Sequence, residues 1–121
     1  MKRPITLTVG FRKYRIRSPS AEEKKNTKYN GLALVEHNEI RLRDDVSDDE
    51  QKATLFHEYL HAKISDAGVP LSSAKEEERL CQFFSSCVME LVRDPDNWKL
   101  LQWAHERQQK ITAPENTPGF Y

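Results

Sequence analysis

Residues 48–67 constrain the fold more than any other part of this 121-residue chain, because they contain neither glycine nor proline. The run opens at Ser47-Asp48-Asp49-Glu50, where a serine three residues before a glutamate forms a capping box and the acidic side chains complement the positive end of a helix. Phe56, Leu60 and Ile64 recur at helical spacing, and Leu55 and Tyr59 widen the apolar stripe. Gly68 and Pro70 supply the stop. One long amphipathic helix is therefore expected, with its apolar stripe laid against the rest of the fold.

Inside that run stands His57-Glu58-Tyr59-Leu60-His61, which reads H-E-x-x-H. Imidazoles four residues apart lie one above the other on a helix, with Cβ atoms roughly 5–6 Å apart, so both can reach one metal ion. Glu58 is then placed to act on water at the metal rather than to bind the metal. Zn2+ is the expected ion. Hydrolytic zinc sites normally have three protein ligands and leave the fourth position to water, so a further ligand is needed. A third histidine six residues on, behind a glycine at the third position, is excluded, since Ile64 and Ala67 stand there.

The alternative is a glutamate from a second helix, expected over roughly 74–93 after the turn Gly68–Ser73. Glu76, Glu77 and Glu78 open that helix. Its inward stripe is expected at Leu80, Phe84, Cys87/Val88 and Leu91. Glu77, three before Leu80 and seven before Phe84, shares that stripe and is the first choice as third ligand. Glu78, three before Cys81, is the second choice, and Glu76 the third. The plainer reading of all three is a solvated acidic first turn favoured by the helix dipole.

The remaining features bound the class. The length suits one domain with a modest core, expected over 1–110 and followed by a flexible tail over 111–121. Nineteen basic residues balance nineteen acidic ones, and no apolar run approaches a membrane span. The amino-terminal residues start strand-like alternation at once and lack a signal-peptide core, so a cytoplasmic protein is expected. Cys81 and Cys87 are too far apart along one helix for a disulfide and read as small core residues. Arg12, Lys13, Arg15, Arg17, Lys24, Lys25 and Lys28 make the first thirty residues basic. Solvated strand edges explain this more simply than nucleic-acid contact, for which stacking aromatics and a binding motif are lacking.

Along the chain, Ile5, Leu7 and Val9 alternate in a first strand ending near Gly10, and Phe11, Tyr14 and Ile16 mark a second. Residues 21–30 read as a loop or a short helix. Gly31–Val35 and Ile40–Arg43 read as a pair of strands joined by Glu36–Glu39. Asp94-Pro95 marks a new helix start with proline at its first position, and Trp98 and Leu101 place a third helix over about 95–109, covering the core. The expected fold class is α+β: a small amino-terminal antiparallel sheet, the H-E-x-x-H helix, a glutamate-bearing helix and a short carboxy-terminal helix.

The run NEIRLRDDVSDDEQKATLFHEYLHA resembles small phage and prophage metallopeptidase-like proteins of the broad ImmA/IrrE-type superfamily, which show an I-x-L strand, a polar spacer and T-L-x-H-E-x-x-H. The later stretch EEERLCQFFSSCVMELVRDPDNW is similar to their second helix, so the resemblance spans about residues 31–98. It departs at Glu78-Arg79-Leu80-Cys81-Gln82-Phe83, where those proteins carry E-A-N-x-F-A. The resemblance implies a minimal zincin of the gluzincin kind, with His57 and His61 as zinc ligands, Glu58 as general base, and the host cytoplasm as its place if phage-encoded. It suggests a peptide or protein substrate, with regulatory DNA-binding proteins as one class.

The function expected is zinc-dependent endopeptidase action, with oxyanion donors to be sought among Tyr29, His37, His105 and Tyr121. By analogy with zincins, an extended substrate would add to an edge strand, either Gly31–Val35 or Ile40–Arg43. Two other classes compete: a phage-encoded interaction or regulatory module with a structural or vestigial zinc, and nucleic-acid binding through the basic segment.

Overall fold

Apolar and polar residues alternate through the first third of the chain, and the computed structural model turns that alternation into a four-stranded sheet. It describes residues 2–111, with side chains to residue 106. The strands are β1 (Thr6–Val9), β2 (Arg12–Arg17), β3 (Gly31–Leu34) and β4 (Glu39–Leu42). Between β2 and β3 lies α1 (Ala21–Asn26), and three long helices follow: α2 (Asp48–Ala67), α3 (Ala74–Arg93) and α4 (Pro95–Ile111). The fold class is α+β. No helix among the described residues is long and apolar enough to cross a membrane.

The sheet order is β1-β2-β4-β3. The β1–β2 hairpin turns through Gly10 and Phe11, and Gly10 takes φ +61°, the left-handed value that a tight two-residue turn needs at its first position. An all-antiparallel sheet was expected, and here the structure differs: β2 and β4 run parallel. Alternation identifies each strand, but not its neighbour. The α1 segment carries the chain across, and the antiparallel β3–β4 pair then docks with β4 inward, leaving β3 as the edge. Of the two strands considered for substrate addition, only β3 therefore has a free edge.

The chain divides into two compact units within α3, between Ser86 and Cys87. In the first, one face of the sheet buries Val9, Tyr14, Ile16, Ile40 and Leu42 against Ala62 of α2, with Leu55 and Tyr59 packed alongside. The inward face of α2 is thus Leu55, Glu58, Tyr59 and Ala62: Leu55 and Tyr59, the expected flank of the apolar stripe, pack on the core, whereas its expected centre, Phe56, Leu60 and Ile64, is half-buried to one side. Ser47 caps α2 as expected, its Oγ accepting from the Glu50 amide, and Gly68 closes it at φ 65° while the Gly68 and Val69 amides reach back to Ser65 and Ile64.

On α3 the buried residues of the first unit are Cys81 and Ser85, not Leu80 and Phe84, and Phe83 and Phe84 are exposed. Both cysteines are free, as expected. The second unit comprises the end of α3 and α4. Asp94 caps α4, its carboxylate accepting from the Asp96 and Asn97 amides, with Pro95 in the first turn. Leu101 is half-buried, but Trp98, expected as cover for the core, is 46% exposed. Residues 112–121, most of the expected tail, lie outside the described residues.

The other face of the sheet carries an ion-pair lattice. Glu39 meets Arg15, Arg17 and Arg41, while Glu23 of α1 meets Arg17 and Arg41. Arg15 and Arg17, two members of the basic amino-terminal segment, are thus paired within the fold. The Arg17 guanidinium, then the Ser20 amide, hold the Glu23 carboxyl near pKa 2, against an ordinary 4.5. Its folded pKa is depressed, so its stabilisation is present above about pH 4.5 and is lost as pH falls toward 2. Thermal melts across that range should show Glu23→Gln losing less stability on acidification than the parent protein. Equal slopes would reject the assignment.

Tyr14 is fully buried, and its hydroxyl has no hydrogen-bond partner. A buried hydroxyl left unpaired costs about 1–3 kcal/mol. Tyr14→Phe should therefore be at least as stable as the parent protein in denaturant titration, and a clear loss would show that the hydroxyl is satisfied.

Candidate metal centre

The rotation of α2 decides where its polar residues lie. With Leu55, Tyr59 and Ala62 against the sheet, Glu58 is drawn under β3, while His57 and His61 stand at the rim, 17% and 20% exposed. Their rings sit edge to face with centroids 4.8 Å apart, and their Nε2 atoms are 3.2 Å apart. From α3, Glu78 reaches across with Oε1 2.8 Å from Nε2 of His57 and Oε2 3.0 Å from Nε2 of His61.

This triangle fits a metal. Donors held at 2.0–2.1 Å around a tetrahedral zinc ion are about 3.3–3.4 Å from one another. Here the two Nε2 atoms are 3.2 Å apart, Glu78 sets one carboxylate oxygen against each of them, and one ligand atom from each of the three residues lies within 4.8 Å of the others. Two imidazoles and a carboxylate are also a donor set suited to zinc. Among the described residues, His57, His61 and Glu78 form the group able to hold a metal ion.

The three glutamates of α3 part company here. Glu77, the expected ligand, places Oε2 2.6 Å from Nδ1 of His61, the ring nitrogen opposite the triangle. Glu78, the second choice, is the residue whose carboxylate faces both Nε2 atoms. The cause is the phase of α3: its inward residues Cys81 and Ser85 lie three and seven after Glu78, so Glu78 shares their face. Glu76 serves the helix start, accepting from the Ser72 amide and hydroxyl while its own amide donates to Ser73 Oγ.

Glu58 is 8% exposed. Burial pushes its pKa up, opposed by His61, His57 and the Ala33 amide that donates to it, and reinforced by the charge of Glu78. On His61, burial disfavours the charged ring, but the Glu77 hydrogen bond and the charges of Glu58 and Glu78 outweigh it and raise the pKa. Below the centre, Cys81 is enclosed, and burial together with Glu77, Glu78 and Glu58 pushes its thiol up to about 12. It remains a neutral core residue.

The centre opens into a cleft of about 800 Å3 walled by β3, Ile64 and Val69, continuing past His57 into a second hollow of about 400 Å3 beside Lys28 and Ser85. Tyr29 lines both. Of the other oxyanion candidates, His37 is exposed and lines neither hollow, His105 belongs to the second unit, and Tyr121 lies outside the described residues.

Gly31 is the functional residue that sequence reasoning overlooked. A Cβ there would collide with the Thr54 methyl and come within 3.2 Å of Glu58 Cγ and 3.3 Å of the Arg41 carbonyl oxygen. The signal was available, since an isolated glycine in a strand often marks close approach of another element.

No protein-family model, curated protein or solved structure matches the chain. The site's own geometry therefore carries the functional argument.

Gly31→Ala should destabilise the fold by about 1–3 kcal/mol through overpacking against α2. Adding Thr54→Ser, which deletes the opposing methyl, should restore much of that loss in denaturant titration. A double variant no more stable than Gly31→Ala would show that the two side chains do not meet.

Proposed function

We propose that this chain is a zinc-dependent peptide-bond hydrolase of the minimal zincin, gluzincin-like kind, in which His57, His61 and Glu78 hold the ion and Glu58 is the general base. The observation that carries this reading is the convergence of two Nε2 atoms and one carboxylate beside a buried carboxyl of raised pKa, at the floor of an open cleft. The resemblance to ImmA/IrrE-type proteins agrees with it. When bound, the ion supplies a Lewis acid that acidifies water and polarises a carbonyl.

The chain's own residues divide the rest of the work. Burial brings Glu58 closer to the pH at which it can take a proton from water and pass it to the leaving amine. The Ala33 amide, donating to Glu58, limits the directions its carboxylate can take. Edge strand β3 lines the cleft with Gly31, Leu32 and Ala33, which supports recognition of an extended peptide by strand addition through backbone groups other than the Ala33 amide. Among the candidates within the described residues, Tyr29 is the donor best located to meet an oxyanion, because it lines the cleft. Among the described residues three candidate ligands face the cleft, which favours a hydrolytic site over a structural zinc closed by a fourth.

Two variants separate binding from chemistry. Glu58→Gln should keep one equivalent of zinc and lower peptide hydrolysis by about 10²–10⁴-fold, the usual worth of a general base. Glu78→Gln should lose zinc affinity itself. Zinc content by mass spectrometry and cleavage of a quenched-fluorescent peptide library measure both. Undiminished hydrolysis by zinc-loaded Glu58→Gln would reject Glu58 as the base.

A further inference from the structure

We infer that Glu77 is the positioning residue of this centre: it holds the Nδ1–H of His61 and thereby turns the lone pair of Nε2 toward the ion. The inference rests on the metal reading above and adds a residue that neither binds the metal nor touches substrate.

Adjacent helix residues point about 100° apart, so Glu77 and Glu78 straddle the His61 ring, one at each nitrogen. Glu77 Oε2 is 2.6 Å from Nδ1, and Glu78 Oε2 is 3.0 Å from Nε2. An ionised carboxylate only accepts, so each contact asks for a proton on the nitrogen it faces. A neutral imidazole has one ring proton to give. Placed on Nδ1 it satisfies Glu77 and frees Nε2; placed on Nε2 it satisfies Glu78 and closes the ring to a metal. The shorter contact lies on the Glu77 side, which selects the competent tautomer. His61 is four-fifths buried, so water is a poor substitute for that acceptor.

The sequence Glu76-Glu77-Glu78 thus carries three separate tasks on consecutive residues: capping the helix, orienting the ring and facing the metal. Removing an acceptor that orients a ligating histidine typically weakens metal binding by about 10–100-fold.

The test compares wild type, Glu77→Ala, Glu77→Gln and Glu78→Gln by two measurements. Zinc affinity is read by competition with a chromophoric chelator. The His61 tautomer is read by long-range 1H–15N NMR on metal-free protein at a pH high enough for a neutral ring. Wild type should show the Nδ1–H form. Glu77→Ala should shift toward Nε2–H and bind zinc about 10–100-fold more weakly at unchanged stoichiometry. Glu77→Gln, which keeps the chain length and a carbonyl acceptor, should lose less and guards against misfolding of the alanine variant. An unchanged tautomer with affinity within about twofold of wild type would overturn the inference. So would a loss as deep as that of Glu78→Gln accompanied by one fewer oxygen donor in X-ray absorption, which would make Glu77 a ligand. If wild type takes up no zinc, the hydrolase reading falls by itself, while the NMR comparison still decides what Glu77 does to the ring.

Discussion

Close approach of α2 to edge strand β3 sets the rest of this molecule in place. Gly31 has no side chain to hold the helix off, and Thr54 and Glu58 occupy the space a Cβ would take. Ala62, fully buried and small, lets the next turn settle equally deep. Once that face is down, the helix has no rotational freedom left. Glu58 is forced beneath the strand, and His57 and His61 are carried to the rim, where their outer nitrogens meet the carboxylates of α3. The facing donor atoms of the candidate metal centre and the raised pKa of Glu58 both follow from one packing contact.

The same contact creates an electrostatic conflict that a bound cation would ease. Buried Glu58 lies beside two imidazoles with the more exposed carboxylates of Glu77 and Glu78 near them, and the charge of Glu78 adds to burial in raising the Glu58 pKa. The opposed influences on Glu58 and His61 show the strain: burial pulls each toward neutrality while their mutual attraction favours charge. A divalent ion at the Nε2–carboxylate triangle would supply positive charge to all three carboxylates without protonating either ring. A solvated acidic first turn, the plainer reading of those glutamates, fits poorly with two of them bonded to His61, a largely enclosed ring.

The limits of the long helices were legible because caps and stops are local. Ser47 and Asp94 act through side chains that accept from amides two or three residues on, Gly68 acts through its left-handed backbone, and α2 and α3 begin and end at the residues expected. What could not be read was helix phase. On α3, Leu80, Cys81, Phe83, Phe84, Cys87, Val88 and Met89 make an apolar band so broad that periodicity tolerates a rotation of one residue. Size would suggest that the phenylalanines go inside, yet Cys81 and Ser85 do. That single step exchanged the places of Glu77 and Glu78. Strand order was unreadable for a different reason: β2 pairs with β4 through tertiary docking, which leaves no local mark on either strand.

The two faces of the sheet are coupled through the segment between α1 and β3. On the outer face, Glu23 ties α1 to Arg17 and Arg41, and Lys24 ties it to Asp44. The chain leaving α1 is then pinned by the Asn30 carbonyl, which accepts from the Arg43 amide, and by Thr27 Oγ1, which accepts from the Tyr29 amide. Tyr29 is left at the meeting point of the hollow beneath α1 and the two hollows flanking the histidines. An exposed tyrosine on a free loop would sample many positions at the cleft mouth, whereas one anchored on both sides samples few. The ion-pair lattice that looked like a basic surface in the sequence therefore works as a brace, and what it braces is the wall of the cleft.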